Sequence, residues 1–291
     1  MTDIKYRKFP CGLCGGSSFK KMFTKTDSSR FLSTAVDVNV AKCTGCGMIA
    51  SNPRIGDVSS LYNDRYYKDE FASQRSSMEK SRINASGKAF MRIEKITNMH
   101  SGRLIDIGCG SGTFLNGIIA SNSQWEVHGL DIKNCLQGKS RNAVFHKCRV
   151  EDADKIRQKF SMATMIEVAE HLENPVKTFR SVSRILDDDG WLFISTANLE
   201  SIISKLRGEK EGYYKAPHVS YWSPRTIRLC LEKSGFNVRK ITTMHNGNWQ
   251  HFIDTKRIRF LAAATSLEIL NRIHIGNTFL LGGMNVFAQK A

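Results

Sequence analysis

The stretch "LIDIGCGSGTF", Leu104 to Phe114, reads as a short apolar strand carrying an acid, Asp106, and then three glycines, Gly108, Gly110 and Gly112, at alternate positions. The residues that follow, "GTFLNGIIA", carry apolar side chains at helical spacing. "WEVHGLDI" then reads as a second strand ending near Asp131, 25 residues after Asp106. Strand, glycine turn, helix, strand is the opening unit of a doubly wound α/β sheet, and such a turn brings backbone close to a nucleotide-like ligand. The spacing here is G-x-G-x-G. A dinucleotide site needs G-x-G-x-x-G with a pyrophosphate on the helix N-terminus. Asp106, just before the loop, would repel that pyrophosphate.

A ligand that tolerates Asp106 must carry positive charge and no phosphate. S-adenosylmethionine has an ammonium, a sulfonium and a ribose diol. Asp106 suits its amino-acid end, Gly108 and Gly110 permit close approach of the backbone, and Asp131 suits the ribose hydroxyls, as carboxylates at a second strand end do in doubly wound folds. The rest of the chain continues the alternation. "AVFHKC", "SMATMI" and "GWLFIST" read as third, fourth and fifth strands. "PVKTFRSVSRIL" is a helix with Pro175 near its start, and "SPRTIRLCLEKSG" a helix with Ser223 as N-cap, Pro224 at its first position and Gly235 at its end. "FNVRKITT" and "GGMNVFAQKA" are late strands. The fold class is therefore α/β: a doubly wound, seven-stranded, mostly parallel sheet.

The eight cysteines divide by pattern. Cys11 and Cys14 in "CGLC", and Cys43 and Cys46 in "CTGC", form two C-x2-C pairs with 28 residues between them, whereas Cys109, Cys135, Cys148 and Cys230 are scattered. With no signal-peptide core in "MTDIKYRKFP", metal binding is favoured over disulfides. Four thiolates on two glycine-rich turns suit one structural Zn2+ with no open coordination position. "FKKMFT" and "FLSTAVDVNVAKC" read as the strands of a small ribbon between the pairs.

At 291 residues and 41% hydrophobic content the chain is long enough for one α/β domain with a small appendage. The sequence divides into a zinc-ribbon module at 1–50, a helical linker or lid at 51–100, and the main domain at 101–291 with inserts at 199–222 and 249–279. No apolar run reaches a membrane span, and a cytoplasmic location is expected. The net charge of +16 is unevenly spread: Lys and Arg outnumber Asp and Glu 17 to 9 over residues 1–100, are level over 101–199, and lead 14 to 6 over 200–291. Basic flanks suit an anionic acceptor, and they leave nucleic acid or a peripheral membrane contact as alternatives.

Taken together, the two cysteine pairs, "CGMIASNPRIGDVSSLYNDRYY", "LIDIGCGSG", "GLDI", "IEVAEHLENP" and "HVSYWSPRTIRLCLEKSGF" resemble the class I S-adenosylmethionine-dependent methyltransferases that carry an N-terminal zinc ribbon. The resemblance covers roughly residues 11–245 and the last strand. It implies that Asp106, Gly108 and Gly110 line the methionine side and Asp131 the ribose. The place where relatives carry an adenine-contacting acid reads "CRVED" here, which nominates Val150 and Glu151. Related enzymes with the ribbon act on sugars, nucleotide-linked sugars or secondary metabolites, so the expected reaction is O- or C-methylation of a small molecule or glycan, a sugar or a nucleotide- or lipid-linked sugar. An RNA methyltransferase is the alternative, disfavoured because the fourth strand leads into "EVAEHLENP" and not an Asn-Pro-Pro-aromatic loop. A non-catalytic protein retaining the fold is a third reading.

Three segments are placed to cover the ligand: the linker with Tyr62, Tyr66 and Tyr67, the insert Leu199 to Trp222, and the insert Trp249 to Phe279. Glu167, Glu170 and His171 in "EVAEH" follow the fourth strand at i, i+3, i+4. His171 suits a general base oriented by a carboxylate, with His218 in reserve. By resemblance to the E-x-x-E-H stretch of ubiquinone-pathway O-methyltransferases, the three also suit a divalent ion such as Mg2+. A merely structural capping role is the third option.

Overall fold

Leu104 to Ile107 are buried without exception, because the strand that carries them lies at the centre of a sheet covered on both faces. The structure, a computed structural model, describes residues 5–29, 32, 34–56, 78–121, 124–243, 274–275, 278–279 and 282–291. Tyr62, Tyr66, Tyr67 and nearly all of the 249–279 insert lie outside these residues.

The N-terminal part runs β1 (Tyr6–Arg7), β2 (Phe19–Asp27), β3 (Val36–Cys43), β4 (Ile49–Ser51) and β5 (Arg54–Ile55). Then follow α1 (Met78–Thr97), β6 (Ser101–Ile107), α2 (Thr113–Ala120), β7 (Gln124–Asp131), β8 (Val144–Lys147) and β9 (Phe160–Ile166). The chain continues through α3 (Pro175–Ile185), β10 (Leu186–Ala197), α4 (Ile202–Arg207), β11 (Ser220–Tyr221), α5 (Pro224–Glu232) and β12 (Phe236–Thr243). Last come the short pair β13 (His274–Ile275) and β14 (Thr278–Phe279), and β15 (Gly283–Lys290).

Seven strands form the main sheet in the order β12-β15-β10-β9-β6-β7-β8. Only β15 runs against its neighbours; β6, β7, β8, β9 and β10 pair in parallel. This is the seven-stranded, mostly parallel sheet expected from the sequence. After β6 the chain turns to β7 and β8 on one side, and it returns to β9 and β10 on the other. The switch point lies between β6 and β9, where doubly wound folds bind ligands beyond the carboxyl ends of the strands.

Alternation along the strands feeds two cores. Leu104, Met162, Phe193 and Phe287 face Phe90 and Ile93 of α1 and Leu115 and Ile118 of α2. Ile105, Ile107, Ala163, Met165 and Ile194 face Phe179, Val182 and Ile185 of α3 and Ile227 and Leu231 of α5. In α3 the buried residues Pro175, Thr178, Phe179, Val182 and Ile185 recur at helical spacing. Ser223 caps α5 in a reciprocal box: its hydroxyl accepts from the Thr226 N–H, and the Thr226 hydroxyl accepts from the Ser223 N–H at 3.0 Å.

The N-terminal strands form a second sheet, β11-β4-β3-β2. Its fourth strand comes from the 199–222 insert: Ser220 pairs with Ala50 and Tyr221 with Ile49. Val36, Val38, Val40 and Ile49 pack against Leu199, Tyr213, Tyr214, Ala216 and Tyr221. The first cysteine turn rests on the start of α3, where a side-chain carbon at Gly12 would lie 2.7 Å from Pro175 Cδ. Among the described residues no helix is long and apolar enough to cross a membrane.

Candidate active site

β6 ends at Ile107, and the glycine loop turns at once. The N–H groups of Gly108 and Cys109 both donate to the Leu130 carbonyl, at 2.8 and 3.2 Å, which ties the loop to the end of β7. All three glycines have positive φ. Their surroundings differ. A Cβ on Gly108 would come 2.4 Å from Val168 Cγ2, so this glycine lets the "EVAEH" turn pack on the loop. A Cβ on Gly110 would meet nothing within 4 Å. Gly110 therefore faces open space at the switch point and is the position at which a ligand can approach the backbone.

Two acids flank that space. Asp106 is buried and accepts a hydrogen bond from the Thr164 hydroxyl at 2.7 Å. Burial pushes its carboxyl up to about 7, with Asp131 adding to the effect and Thr164 opposing it. Asp131, at the end of β7, accepts from the N–H groups of Gly110 at 3.0 Å and Ile132 at 2.7 Å. Burial raises its pKa too, against those two bonds. Ile132, next to it, is among the exposed large apolar residues of the described chain. Val150 and Glu151 open a 3-10 turn after β8. The Cys148 N–H donates to the Asp131 carbonyl at 3.2 Å, which holds this turn close to Asp131. Val150 is half-buried against the main core, and Glu151 pairs with Arg149 at 3.5 Å.

"EVAEH" differs from the helical turn that its spacing suggests. Glu167 has a left-handed φ of 54°, and only Ala169–His171 form a 3-10 turn. The three side chains therefore do not share one face. Glu170 points inward and is fully buried. Its carboxylate accepts from the Thr196 hydroxyl at 2.9 Å and from the Tyr213 hydroxyl by a short bond. The Tyr213 hydroxyl also lies 3.4 Å from Glu167. Glu167 keeps an exposed surface, although protein surrounds its carboxylate. Enclosure by protein and the Glu170 charge raise its pKa, whereas Glu170, despite burial, is held below the ordinary range by His171, His218 and Tyr213.

His218 joins this group from the insert. Its Nδ1 lies 2.7 Å from the Tyr213 carbonyl, and the Nδ1 of His171 lies 3.0 Å from the Pro217 carbonyl. A carbonyl only accepts, so both Nδ1 atoms carry a proton, and Nε2 of either ring is an acceptor whenever that ring is neutral. The rings meet edge to face, 4.8 Å between centroids. Burial and His171 push His218 down to about 4, so it is neutral at pH 7. One ligand atom from each of Glu170, His171 and His218 lies within 4.8 Å of the others. The gathered triad thus has His218 where the sequence pattern placed Glu167. Tyr213 and Thr196 were not nominated from sequence at all, since no linear spacing relates residues 196 and 213 to residue 170.

The four N-terminal cysteines also converge, with all four sulfurs within 4.8 Å of one another. Cys11 and Cys46 are 3.5 Å apart, as are Cys14 and Cys43. Tetrahedral zinc at its usual bond length to sulfur puts sulfurs about 3.8 Å apart, so the donor set fits that ion. The N–H groups of Cys46 and Gly45 face the Cys43 sulfur; although burial opposes it, they and the neighbouring thiols bring this thiol down to about 7. Burial pushes the Cys11 and Cys46 thiols up, so of the shifted thiols only Cys43 moves toward the thiolate a metal requires.

The sequence profile of the family described as "Methyltransferase domain" matches residues 78–241, more than half of the chain. The chain belongs to this family. Among curated proteins it is 29% identical over 118 residues to the ubiquinone biosynthesis O-methyltransferase of Glaesserella parasuis serovar 5 (strain SH0165), 36% of this chain and 49% of that protein. It is 22% identical over 174 residues to the protein of the same name from Haemophilus ducreyi (strain 35000HP / ATCC 700724), 51% and 74%. The chain thus spans about half the length of the first of these. Of solved structures, a SAM dependent methyltransferase from Archaeoglobus fulgidus superposes with a TM-score of 0.53 at 20% identity, over 77% of this chain and all of that one. The plantazolicin methyltransferase BpumL in complex with SAH gives 0.51 at 14% identity, over 80% and 93%. These two establish likeness of fold.

Proposed function

We propose that this chain transfers the methyl group of S-adenosylmethionine to a hydroxyl of a small-molecule or glycan acceptor. The observation that carries this reading is the contact between two half-sites. The turn bearing Glu170 and His171 packs through Val168 directly on the glycine loop, between Asp106 and Asp131. Asp106 suits the ammonium of the cofactor and Asp131 its ribose, and the open face of Gly110 leaves room for the chain between them. Ile132, Val150 and Glu151 lie where the adenine would extend. Methyl transfer is an in-line displacement, so the protein chiefly positions donor and acceptor.

A hydroxyl acceptor must also lose its proton. His171 and His218 present acceptor nitrogens beside a buried, ionised Glu170. A lone buried carboxylate is costly, and a proton arriving on either imidazole gives it a counter-charge already in place. His171 is the base in this reading, Glu170 stabilises the imidazolium, and Tyr213 and Thr196 fix Glu170. The relatives named for O-methylation in ubiquinone biosynthesis support the choice of oxygen. The basic flanks support an anionic acceptor such as a nucleotide- or lipid-linked sugar.

The same triad also favours a second arrangement, in which Glu170, His171 and His218 hold a divalent ion that would lower the pKa of the acceptor hydroxyl. Two imidazoles and one carboxylate suit zinc or manganese better than Mg2+, which prefers oxygen ligands. At the N-terminus, Cys11, Cys14, Cys43 and Cys46 would hold a structural Zn2+.

The test is turnover of labelled S-adenosylmethionine against nucleotide-sugars, lipid-linked glycans and phenols, with the wild type and His171→Ala. Loss of turnover with intact cofactor binding supports the base. Sensitivity of the wild type to chelator, with the cysteine-bound zinc still retained, selects the metal. Normal turnover in His171→Ala refutes both, and absence of cofactor binding refutes the reading altogether.

A further inference from the structure

The N-terminal sheet does more than lie beside the main domain. It grips one short segment, residues 211–220, that carries Tyr213 and His218. Lys25 donates to the Glu211 carbonyl at 2.8 Å, and Asp27 accepts from the Ala216 N–H at 2.9 Å. Both come from the end of β2 remote from the cysteines. Phe23 meets Tyr214 edge to face, 5.0 Å between centroids. Val219 then stands between the two halves of the molecule: its carbonyl accepts from the Ser51 N–H at 3.1 Å, and its N–H donates to the Glu170 carbonyl at 2.9 Å. The Ser220 hydroxyl donates to the Leu172 carbonyl at 3.0 Å.

The cysteine turns sit on these same strands. Cys43 ends β3, the turn Cys43–Cys46 joins β3 to β4, and Arg225 of α5 donates to the Cys46 carbonyl. The hydrogen bonds named above all reach residues between Glu170 and Arg225, on the acceptor side of the site. Asp27 is buried although it has no part in the core of the main sheet. Its two carboxylate oxygens are used to hold backbone, the Ser29 N–H at 3.0 Å and the Ala216 N–H.

We propose that the N-terminal four-cysteine module is the positioning element for the acceptor side of the site, acting through Asp27 on the 211–220 segment, and that metal at the cysteines thereby sets the geometry of His218 and Tyr213 without setting cofactor affinity. This deepens the methyltransferase reading and rests on it. Asp27 is a positioning residue: it touches neither cofactor nor acceptor, and works by fixing the backbone from which His218 and Tyr213 project.

The experiment uses the full chain as wild type, Asp27→Ala, Asp27→Asn and metal-stripped wild type. Three quantities are read in each: S-adenosylmethionine affinity by calorimetry, amide exchange across 211–220, and the His218 ring tautomer from long-range proton–nitrogen spectra. Asp27→Ala removes a charged acceptor from the Ala216 N–H, so exchange there should rise about tenfold or more. The His218 Nδ1–H signature should weaken, and cofactor affinity should stay within about twofold. Asp27→Asn keeps an acceptor oxygen and should restore protection at Ala216. The metal-stripped chain should resemble Asp27→Ala. Unchanged exchange and tautomer in Asp27→Ala would overturn the proposal, as would an equal loss of cofactor affinity in that variant. If wild type itself fails to bind the cofactor, the methyltransferase reading fails, whatever the segment does.

Discussion

Gly110→Ala separates the open floor of the cofactor site from its packed walls. In the ligand-free chain the new methyl group meets nothing within 4 Å, so packing costs nothing there. The backbone does resist it, because Gly110 has a φ of 50° and a left-handed conformation costs an L-residue about 1–2 kcal/mol. A fall of roughly 2–8 °C in Tm is expected. Bound cofactor meets a different situation, since that methyl group occupies its approach. Overpacking of about 1–3 kcal/mol corresponds to affinity weaker by about 5- to 150-fold. Gly108→Ala is the control. Its methyl group would sit 2.4 Å from Val168 Cγ2 at a φ of 71°, so overpacking adds to backbone strain already in the free chain, about 2–5 kcal/mol together. Thermal denaturation and calorimetry with S-adenosylmethionine read both effects. Gly108→Ala should be much the less stable, and Gly110→Ala should fold well but bind poorly. A folded Gly110→Ala with an unchanged dissociation constant would refute the placement of the cofactor over this residue.

Asp131→Ala should weaken cofactor binding about tenfold or more, since hydrogen bonds to a charged group contribute roughly 1.5–3 kcal/mol each; an unaltered constant by calorimetry would mean the ribose lies elsewhere. Asp106 should give binding a pH dependence. Its folded pKa of about 7 lies well above the ordinary 3.9, so the free chain favours its protonated form at low pH and loses that stabilisation as pH rises through 7. The cofactor ammonium favours the carboxylate, so affinity should rise from pH 6 to about 8 with release of a proton, read in buffers of differing ionisation enthalpy; Asp106→Asn should flatten the dependence, and a flat wild-type profile contradicts the assignment. Cys14→Ser with Cys43→Ser should abolish zinc content by elemental analysis, because each cysteine pair keeps only one sulfur; full zinc in that variant would exclude the four-cysteine site.

Local signals made the main sheet readable. The "LIDI" run, the glycine turn and the helical spacing of "PVKTFRSVSRIL" each declare their element within a few residues, and "SPRT" announces a helix start through its capping chemistry. The four cysteines were readable for the same reason, since their spacing carries the ligand geometry. The acceptor side was less legible. "EVAEH" promises a helical face, but Glu167 adopts a left-handed φ that sequence spacing does not reveal, and its place in the triad goes to His218, 51 residues further on. Tyr213 enters only because the insert folds back over β10, a tertiary fact. The Gly108 contact with Val168 is of the same kind: one glycine in a triplet looks like another until its neighbour across the switch point is known.

The pairing of β4 with β11 has a consequence for biosynthesis. Ala50 must wait for Ser220, about 170 residues later in the chain. At the usual pace of roughly 5–20 residues per second, that interval lasts about 9–35 s. Throughout it the nascent ribbon carries, besides the β2 edge, the bare edge of β4, a row of unpaired N–H and C=O groups able to recruit a foreign strand. Early capture of metal by the cysteines would fix the turns but leave that edge open. A fragment ending before residue 220 is therefore expected to self-associate when expressed alone, even with its metal site filled.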